Sequence, residues 1–152
     1  MIRYLGLTCG IFGLDGIIKK WIDERKEKPE ITLKKFKISF CRNKGAMYSL
    51  GEKTPKRVRR ISAFILTGVA MHWIYVVTSR KKNSIEKIGA SLWFGGSLSN
   101  VWDRFTRKYV VDYIHIDVKL LRKIIFNISD VCIIIGGCIS MITNVIRFLK
   151  EE

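Results

Sequence analysis

The sequence lacks the spacing of Cys and His residues that disulfide frameworks and metal sites require. No CxxC pair and no Cys/His ligand pattern is formed by its four cysteines, which are Cys9, Cys41, Cys132 and Cys138. Its paired glycines, Gly95-Gly96 and Gly136-Gly137, have no phosphate-binding pattern around them and are more typical of helix packing. We therefore expect no metal and no cofactor.

Acidic residues are scarce as well. The chain of 152 residues has 13 Asp and Glu against 28 Lys and Arg, yet 48% of it is hydrophobic. This mixture is unusual for a soluble core and typical of apolar membrane spans joined by charged loops. The net charge of +15 would also suit a nucleic-acid binder, but no binding motif is present. We expect the basic residues to attract anionic membrane lipids, and no nucleic acid to be a partner.

Apolar runs predict four spans in a single domain. Residues 61–79 contain no charge and suffice to cross a hydrocarbon layer of about 30 Å. The third run is rich in Gly and Ser and is predicted to be a packed interior helix. We expect the first run to be an uncleaved span, because no small-residue cleavage site follows Leu14. The predicted spans are residues 2–21, 61–79, 86–103 and 126–149.

A strand is predicted between the first two spans. Apolar and polar residues alternate from Thr32 to Phe40, with Phe36, Ile38 and Phe40 on one face. The fold class that follows is a mostly α membrane protein, with four transmembrane helices and a small β-sheet cradle at the membrane surface. The sheet is expected within the loop of residues 23–60, between the first two spans.

Two aspartates stand where hydrophobic segments end or begin. Four crossings place Asp112 and Asp130 at the same side of the membrane, together with most other unusual polar residues. Two carboxylates at one depth favour a site that shares a proton, because charged groups there are costly to desolvate. Taken alone, Asp112 is more typical of an acidic loop residue. Two nearby residues are alternatives to it as catalytic groups: Asp117 as the carboxylate and His115 as the base. His72 is most simply a packed residue of the second span.

Five blocks of sequence resemble, in order, those of the lipoprotein signal peptidase family, also called signal peptidase II. The blocks are DGIIK at 15–19, RNKGAMYS at 42–49, GGSLSNVWDR at 95–104, VVDY at 110–113 and FNISD at 126–130. The family consists of four-helix membrane aspartyl proteases that cut a prolipoprotein signal peptide before the lipid-modified, diacylglyceryl cysteine. The resemblance therefore implies an aspartyl endopeptidase with a lipid-modified prolipoprotein as substrate, which we expect to act as a monomer.

The resemblance also implies roles for individual residues. By this resemblance, Asp112 and Asp130 would form the catalytic dyad. Two adjacent carboxyl groups suit this role, because they cannot easily both ionise and one can then act as base and the other as acid. The dyad-orienting residues would be Asn100, Arg104 and Asn127. The substrate-binding residues would be Asp15, Lys19, Asn43 and Gly45.

The chain departs from the family pattern near the dyad. The family usually has Gln after the first Asp, Ala at Ser97 and at Ser129, Gly at Ser99, and Ala-Phe at Met47-Tyr48. Both catalytic positions are kept. The alternative is a noncatalytic membrane scaffold or an inactive relative that binds lipoprotein precursors. Without the resemblance, Asp15 and Lys19 would equally suit an ordinary ion pair four residues apart on one helix, and Asp103 and Arg104 a helix-end charge pair.

Charge and family disagree about orientation. The side with the polar residues carries 21 of the 28 Lys and Arg residues, which by the positive-inside rule would face the cytoplasm. The family places that side outside the cytoplasmic membrane of the bacterial cell. We expect the outer face, because a long folded loop is a poorer guide than a short one such as Arg80-Lys81-Lys82.

Overall fold

The computed structural model describes residues 1–25, 31–33, 36–45, 51–116 and 124–151. Within them the chain forms four helices and a four-stranded antiparallel sheet. The helices are α1 (Ile2–Glu24), α2 (Pro55–Thr78), α3 (Ser84–Thr106) and α4 (Ile128–Glu151). The strands are β1 (Ile31–Leu33), β2 (Phe36–Asn43), β3 (Val110–Ile116) and β4 (Ile125–Phe126), in that order across the sheet. The predicted fold class is confirmed.

The four helices correspond to the four predicted spans. Each has 23 or 24 residues, which gives a length of about 35 Å, sufficient to cross a bilayer. In the described part of the chain, α2 and α4 are also apolar enough by composition to do so. Helix α1 is more charged because Asp15 and Lys19 lie within it, and α3 is rich in Gly and Ser. The crossings of α1 and α3 stay a prediction.

Large apolar side chains cover the outside of the helices. Phe64 on α2 is 82% exposed and Met141 on α4 is 67% exposed, and many Ile and Leu residues beside them are exposed as well. A water-soluble surface rarely carries so large an apolar area. These faces therefore suit contact with lipid.

Helix α3 is the centre of the bundle and packs against each of the other three helices. Its small residues permit the close approach, and the predicted interior position is confirmed by the burial of Gly89, Ala90, Ser91, Gly95 and Gly96. A Cβ atom added at Gly96 would lie 2.5 Å from the Ser129 carbonyl oxygen. One added at Gly136 of α4 would lie 2.5 Å from the Gly89 carbonyl oxygen. Glycine is therefore needed where α3 and α4 meet.

The sheet extends beyond the predicted loop. The predicted strand over Thr32–Phe40 corresponds to two strands, β1 and β2, and the chain between α3 and α4 adds β3 and β4. On β2, Ile38 pairs with Ile114, whereas Cys41 pairs with Asp112. Three residues of β2 thus match two of β3, and this bulge interrupts the strict alternation that the sequence predicts through Phe40. As a result Cys41 and Asn43 lie on the same face of the sheet as Asp112.

Both ends of the bundle are fastened by polar contacts. At the sheet end, Asp23 of α1 accepts hydrogen bonds from Tyr109 at 2.8 Å and from Arg42 at 3.0 Å. At the opposite end, Asn83 and Glu86 form a reciprocal capping box that starts α3. Glu86 also binds Arg147 of α4 at 2.7 Å. These contacts join α1 to the sheet at one end of the bundle and α3 to α4 at the other.

Candidate active site

The two predicted catalytic aspartates are joined by one asparagine. Asp112 lies on β3 and Asp130 in the first turn of α4. The side-chain amide of Asn127 donates to Asp112 Oδ1 at 2.7 Å, and its backbone N–H donates to Asp130 Oδ2 at 3.0 Å. In return, the Asp130 backbone N–H donates to Asn127 Oδ1 at 2.9 Å, so the pair also caps α4. The two carboxyl groups therefore belong to a single site.

Asn100 of α3 holds the second oxygen of Asp130. Its amide donates to Asp130 Oδ1 at 2.7 Å, while its own carbonyl oxygen accepts from Asn127 at 3.2 Å and from Lys19 Nζ at 2.8 Å. Both oxygens of Asp130 thus accept an N–H group. Asp130 as a whole residue is half-buried, whereas Asp112 is buried.

A turn after β2 holds the second oxygen of Asp112. The Asn43 amide donates to Asp112 Oδ2 at 3.0 Å, and Asn43 Oδ1 accepts from the Gly45 backbone N–H at 3.0 Å. Arg104 donates to the Gly45 carbonyl oxygen at 2.7 Å. Arg104 therefore contacts the turn, and it affects the dyad through that turn and through its charge.

Asp15 and Lys19 lie in the interior of the bundle, where Lys19 donates to Asn100. Both side chains are 0% exposed and form a 2.7 Å ion pair. Lys19 is also 3.2 Å from Asp103, which pairs with Arg107 rather than with its neighbour Arg104. Contact of Asp15 and Lys19 with substrate stays a prediction, but their complete burial favours a role in supporting Asn100.

The electrostatics of Asp112 suit an acid that keeps its proton. Burial raises the pKa of Asp112 to about 7, and the charge of Asp130 adds to the rise, while hydrogen bonds from Asn43 and Asn127 oppose it. Burial also raises the pKa of the Cys41 thiol beside it, with a smaller contribution from the charge of Asp112. Cys41 is consequently a protonated thiol at neutral pH and a poor nucleophile.

Comparison with known proteins shows the family of this chain. Residues 7–146 match the family described as signal peptidase (SPase) II. The chain belongs to the signal peptidase II family. A lipoprotein signal peptidase of Clostridium novyi is 34% identical over 83% of this chain and 87% of its own length. One of Clostridium acetobutylicum is 26% identical over 99% of this chain and 98% of its own length.

A solved structure shows the same fold. It is a bacterial membrane enzyme determined by the in meso method at 2.3 Å resolution. The two structures superpose with a TM-score of 0.83, over 100% of this chain and 93% of the other, at 20% sequence identity. The membership in the signal peptidase II family and the membrane fold therefore rest on independent comparisons.

Within this signal peptidase II chain, the two histidines of the described residues lie apart from the dyad. His115 is three residues from Asp112 on β3 and so points to the opposite face of the strand. His72 packs against the Trp93 ring at 5.6 Å, as the sequence predicts. Asp117, Met47 and Tyr48 lie outside the described residues.

Sequence reasoning missed the hydroxyl groups around Asp15. Its carboxylate accepts hydrogen bonds from Ser99, Ser129 and Tyr113, the last being a buried phenol whose pKa is raised by burial and by the charge of Asp15. The only signal was the departure of Ser99 and Ser129 from the signal peptidase II pattern. Nothing in the spacing of these residues connects them with Asp15, which lies more than 80 positions away in the sequence.

Proposed function

We propose that the chain is an intramembrane aspartyl endopeptidase that removes the signal peptide from prolipoproteins, cutting before the diacylglyceryl cysteine. The observation that carries this proposal is the Asn127 bridge between the carboxyl groups of Asp112 and Asp130. Two carboxyl groups held by one asparagine, at the end of apolar helices, can divide the roles of acid and base.

The surroundings of each carboxyl group suggest which role it takes. Asp130 lies in the first turn of α4, where the helix dipole favours a negative charge, and both of its oxygens accept N–H groups. Asp130 is therefore assigned as the base that takes a proton from the attacking water. Asp112, with a pKa of about 7, is assigned as the acid that donates a proton to the scissile carbonyl oxygen.

Five residues are assigned to orienting these two groups. Asn100 and Asn127 keep the carboxyl groups at a fixed angle, because their amides bind them directly. Asn43 and Gly45 form the turn beside Asp112, and Arg104 holds that turn. Asn43 and Gly45 lie in the turn beside Asp112, so they stay our candidates for substrate contact.

Cleavage of a synthetic precursor tests the proposal. We expect the purified protein to cut a peptide that carries a diacylglyceryl cysteine immediately before that residue, as read by mass spectrometry, and to leave the unlipidated peptide intact. Asp112→Asn and Asp130→Asn should abolish the product. Glu24→Gln, which alters an exposed carboxylate at the end of α1, should not. Full activity of either aspartate variant would instead favour the scaffold alternative.

We also propose that the protein is a monomer in the bacterial cytoplasmic membrane, with four crossings and the dyad at the outer face. Labelling with a membrane-impermeant thiol reagent tests the orientation in intact cells, in a background without the native cysteines. Lys53→Cys should react and Lys81→Cys should not. The reverse pattern would restore the positive-inside orientation.

The basic outer surface is proposed to bind anionic lipid headgroups. Four basic residues, Lys53, Lys56, Arg57 and Arg60, line an open cavity of about 600 Å³ at the start of α2. Activity in liposomes with and without anionic lipid measures this attraction, and equal activity in both would contradict the proposed lipid binding.

Sedimentation in detergent tests the proposed monomer, and a stable dimer would contradict it.

A further inference from the structure

The buried carboxylate of Asp15 accepts a hydrogen bond from a hydroxyl group on each of the three chain segments that carry Asp112, Asp130 and Asn100. Asp15 Oδ2 accepts from Ser99 Oγ at 2.7 Å and from Ser129 Oγ at 2.6 Å. Asp15 Oδ1 accepts from the Tyr113 hydroxyl at 3.1 Å. The three donors come from α3, α4 and β3, and the acceptor comes from α1.

Each donor is the sequence neighbour of a residue of the site. Ser99 precedes Asn100, Ser129 precedes Asp130, and Tyr113 follows Asp112. Because adjacent Cα atoms are about 3.8 Å apart, fixing a neighbour fixes the backbone from which the site residue extends. The three contacts therefore set the relative positions of the two catalytic carboxyl groups and of Asn100.

The charge balance makes these contacts strong. Lys19 neutralises Asp15 at 2.7 Å and also binds Asn100, so a second route connects the same carboxylate with the dyad. Hydrogen bonds to an ionised acceptor are shorter and stronger than those between neutral groups. With Asp15, Lys19, Ser99 and Ser129 all buried, water does not compete for these bonds.

Tyr113 adds a link between the donors. Its hydroxyl oxygen accepts from the Ile128 backbone N–H at 3.2 Å. N–H groups in the first turn of a helix have no acceptor within that helix. The beginning of α4 is thus held to β3 through Tyr113 and to α1 through Ser129. Asp130 extends from this doubly held turn.

We propose that Ser99, Ser129 and Tyr113 are positioning residues, which use Asp15 as a common anchor to hold Asp112, Asp130 and Asn100 in the catalytic arrangement. This inference rests on the proposed function. The two serines are departures of this chain from the family pattern, so the anchor is a feature of this chain rather than a transfer from its relatives.

Removal of single hydroxyl groups tests the proposal. We expect Ser99→Ala, Ser129→Ala and Tyr113→Phe each to lower kcat about tenfold or more and to leave KM within about twofold. Small displacements of reacting groups reduce kcat strongly, and all three hydroxyls donate to the buried Asp15. Ser129→Thr, which keeps the hydroxyl, should recover most of kcat. Ser97→Ala is the matched control, because Ser97 lies on the opposite side of α3 from Ser99.

Two outcomes would overturn the proposal. One is an unchanged kcat in both serine-to-alanine variants. The other is a loss of activity that only follows the loss of folded protein, measured by thermal unfolding in detergent. A wild-type protein that cleaves no lipidated precursor would refute the proposed function instead.

A structure of the Ser99→Ala/Ser129→Ala double variant then decides the positioning claim without activity. We expect the bond from Asn100 Nδ2 to Asp130 Oδ1, which is 2.7 Å in the wild type, to be lengthened or lost. An unchanged arrangement of Asp112, Asp130 and Asn100 would contradict the claim.

Discussion

Replacement of Asp112 by asparagine should stabilise the folded protein at neutral pH while it abolishes cleavage. The folded state holds the Asp112 carboxyl at a pKa of about 7 against an ordinary value of 3.8. At a pH above both pKa values, this rise lowers the free energy of unfolding by about 4 kcal/mol. Asparagine removes that cost because it carries no charge.

Part of the gain is offset by lost hydrogen bonds. Asp112 accepts from Asn127 on one oxygen and from Asn43 on the other, whereas an asparagine has one acceptor oxygen. A lost hydrogen bond of this kind costs about 1–2 kcal/mol. A net stabilisation of about 2 kcal/mol above pH 7 remains.

The pH dependence separates this cause from others. Because the folded pKa is raised, the cost of Asp112 is absent below the unfolded pKa, grows between about pH 4 and pH 7, and is complete above the folded pKa. The advantage of the variant should therefore increase by about 2–3 kcal/mol between pH 5 and pH 8. Thermal unfolding in detergent at both pH values measures it, with Glu24→Gln as a control that should show no such change. An advantage of equal size at both pH values would refute the reasoning.

Further predictions concern the turn beside the dyad and the helix contact behind it. Cleavage by the wild type should decline as pH rises above about 7, because Asp112 loses its proton. Asn43→Ala should move this decline to higher pH, since the Asn43 hydrogen bond lowers the pKa of Asp112. A pH profile of kcat/KM with the decline at the same pH in both proteins would contradict this. Gly136→Ala should destabilise the bundle by about 1–3 kcal/mol, because its Cβ would meet the α3 backbone, whereas Gly137→Ala, with open space around it, should be nearly neutral. Equal unfolding temperatures for both glycine variants would show that α3 and α4 are not in tight contact.

The sequence predicted the helices well because their signals are local. Apolar runs gave four helices in nearly the right places, although α2 begins at Pro55, where charged residues conceal the helix from a hydropathy pattern. Asn127 and Asp130 are separated by three positions, so their reciprocal contacts follow from helix geometry. Strands β3 and β4 were missed because pairing between distant segments leaves little trace in a short run of residues.

The environment of Asp15 and Lys19 could not be predicted in the same way. A spacing of four residues brings the two side chains together on a helix whether they face a cleft or the interior. Their burial is decided by Ser99, Ser129 and Asp103, which come from α3 and α4. Serine is common at helix contacts, so its presence there did not indicate a hydrogen-bond donor.

The central claim is that Asp112 and Asp130 handle one proton together, and a double-mutant cycle on kcat/KM tests it most directly. We expect Asp112→Asn and Asp130→Asn each to reduce kcat/KM for the lipidated precursor by about a thousandfold or more, and the double variant to be no worse than the poorer single variant, because residues that act as a unit lose their effect together. Substantial activity in either single variant, or losses that multiply in the double variant, would contradict the claim.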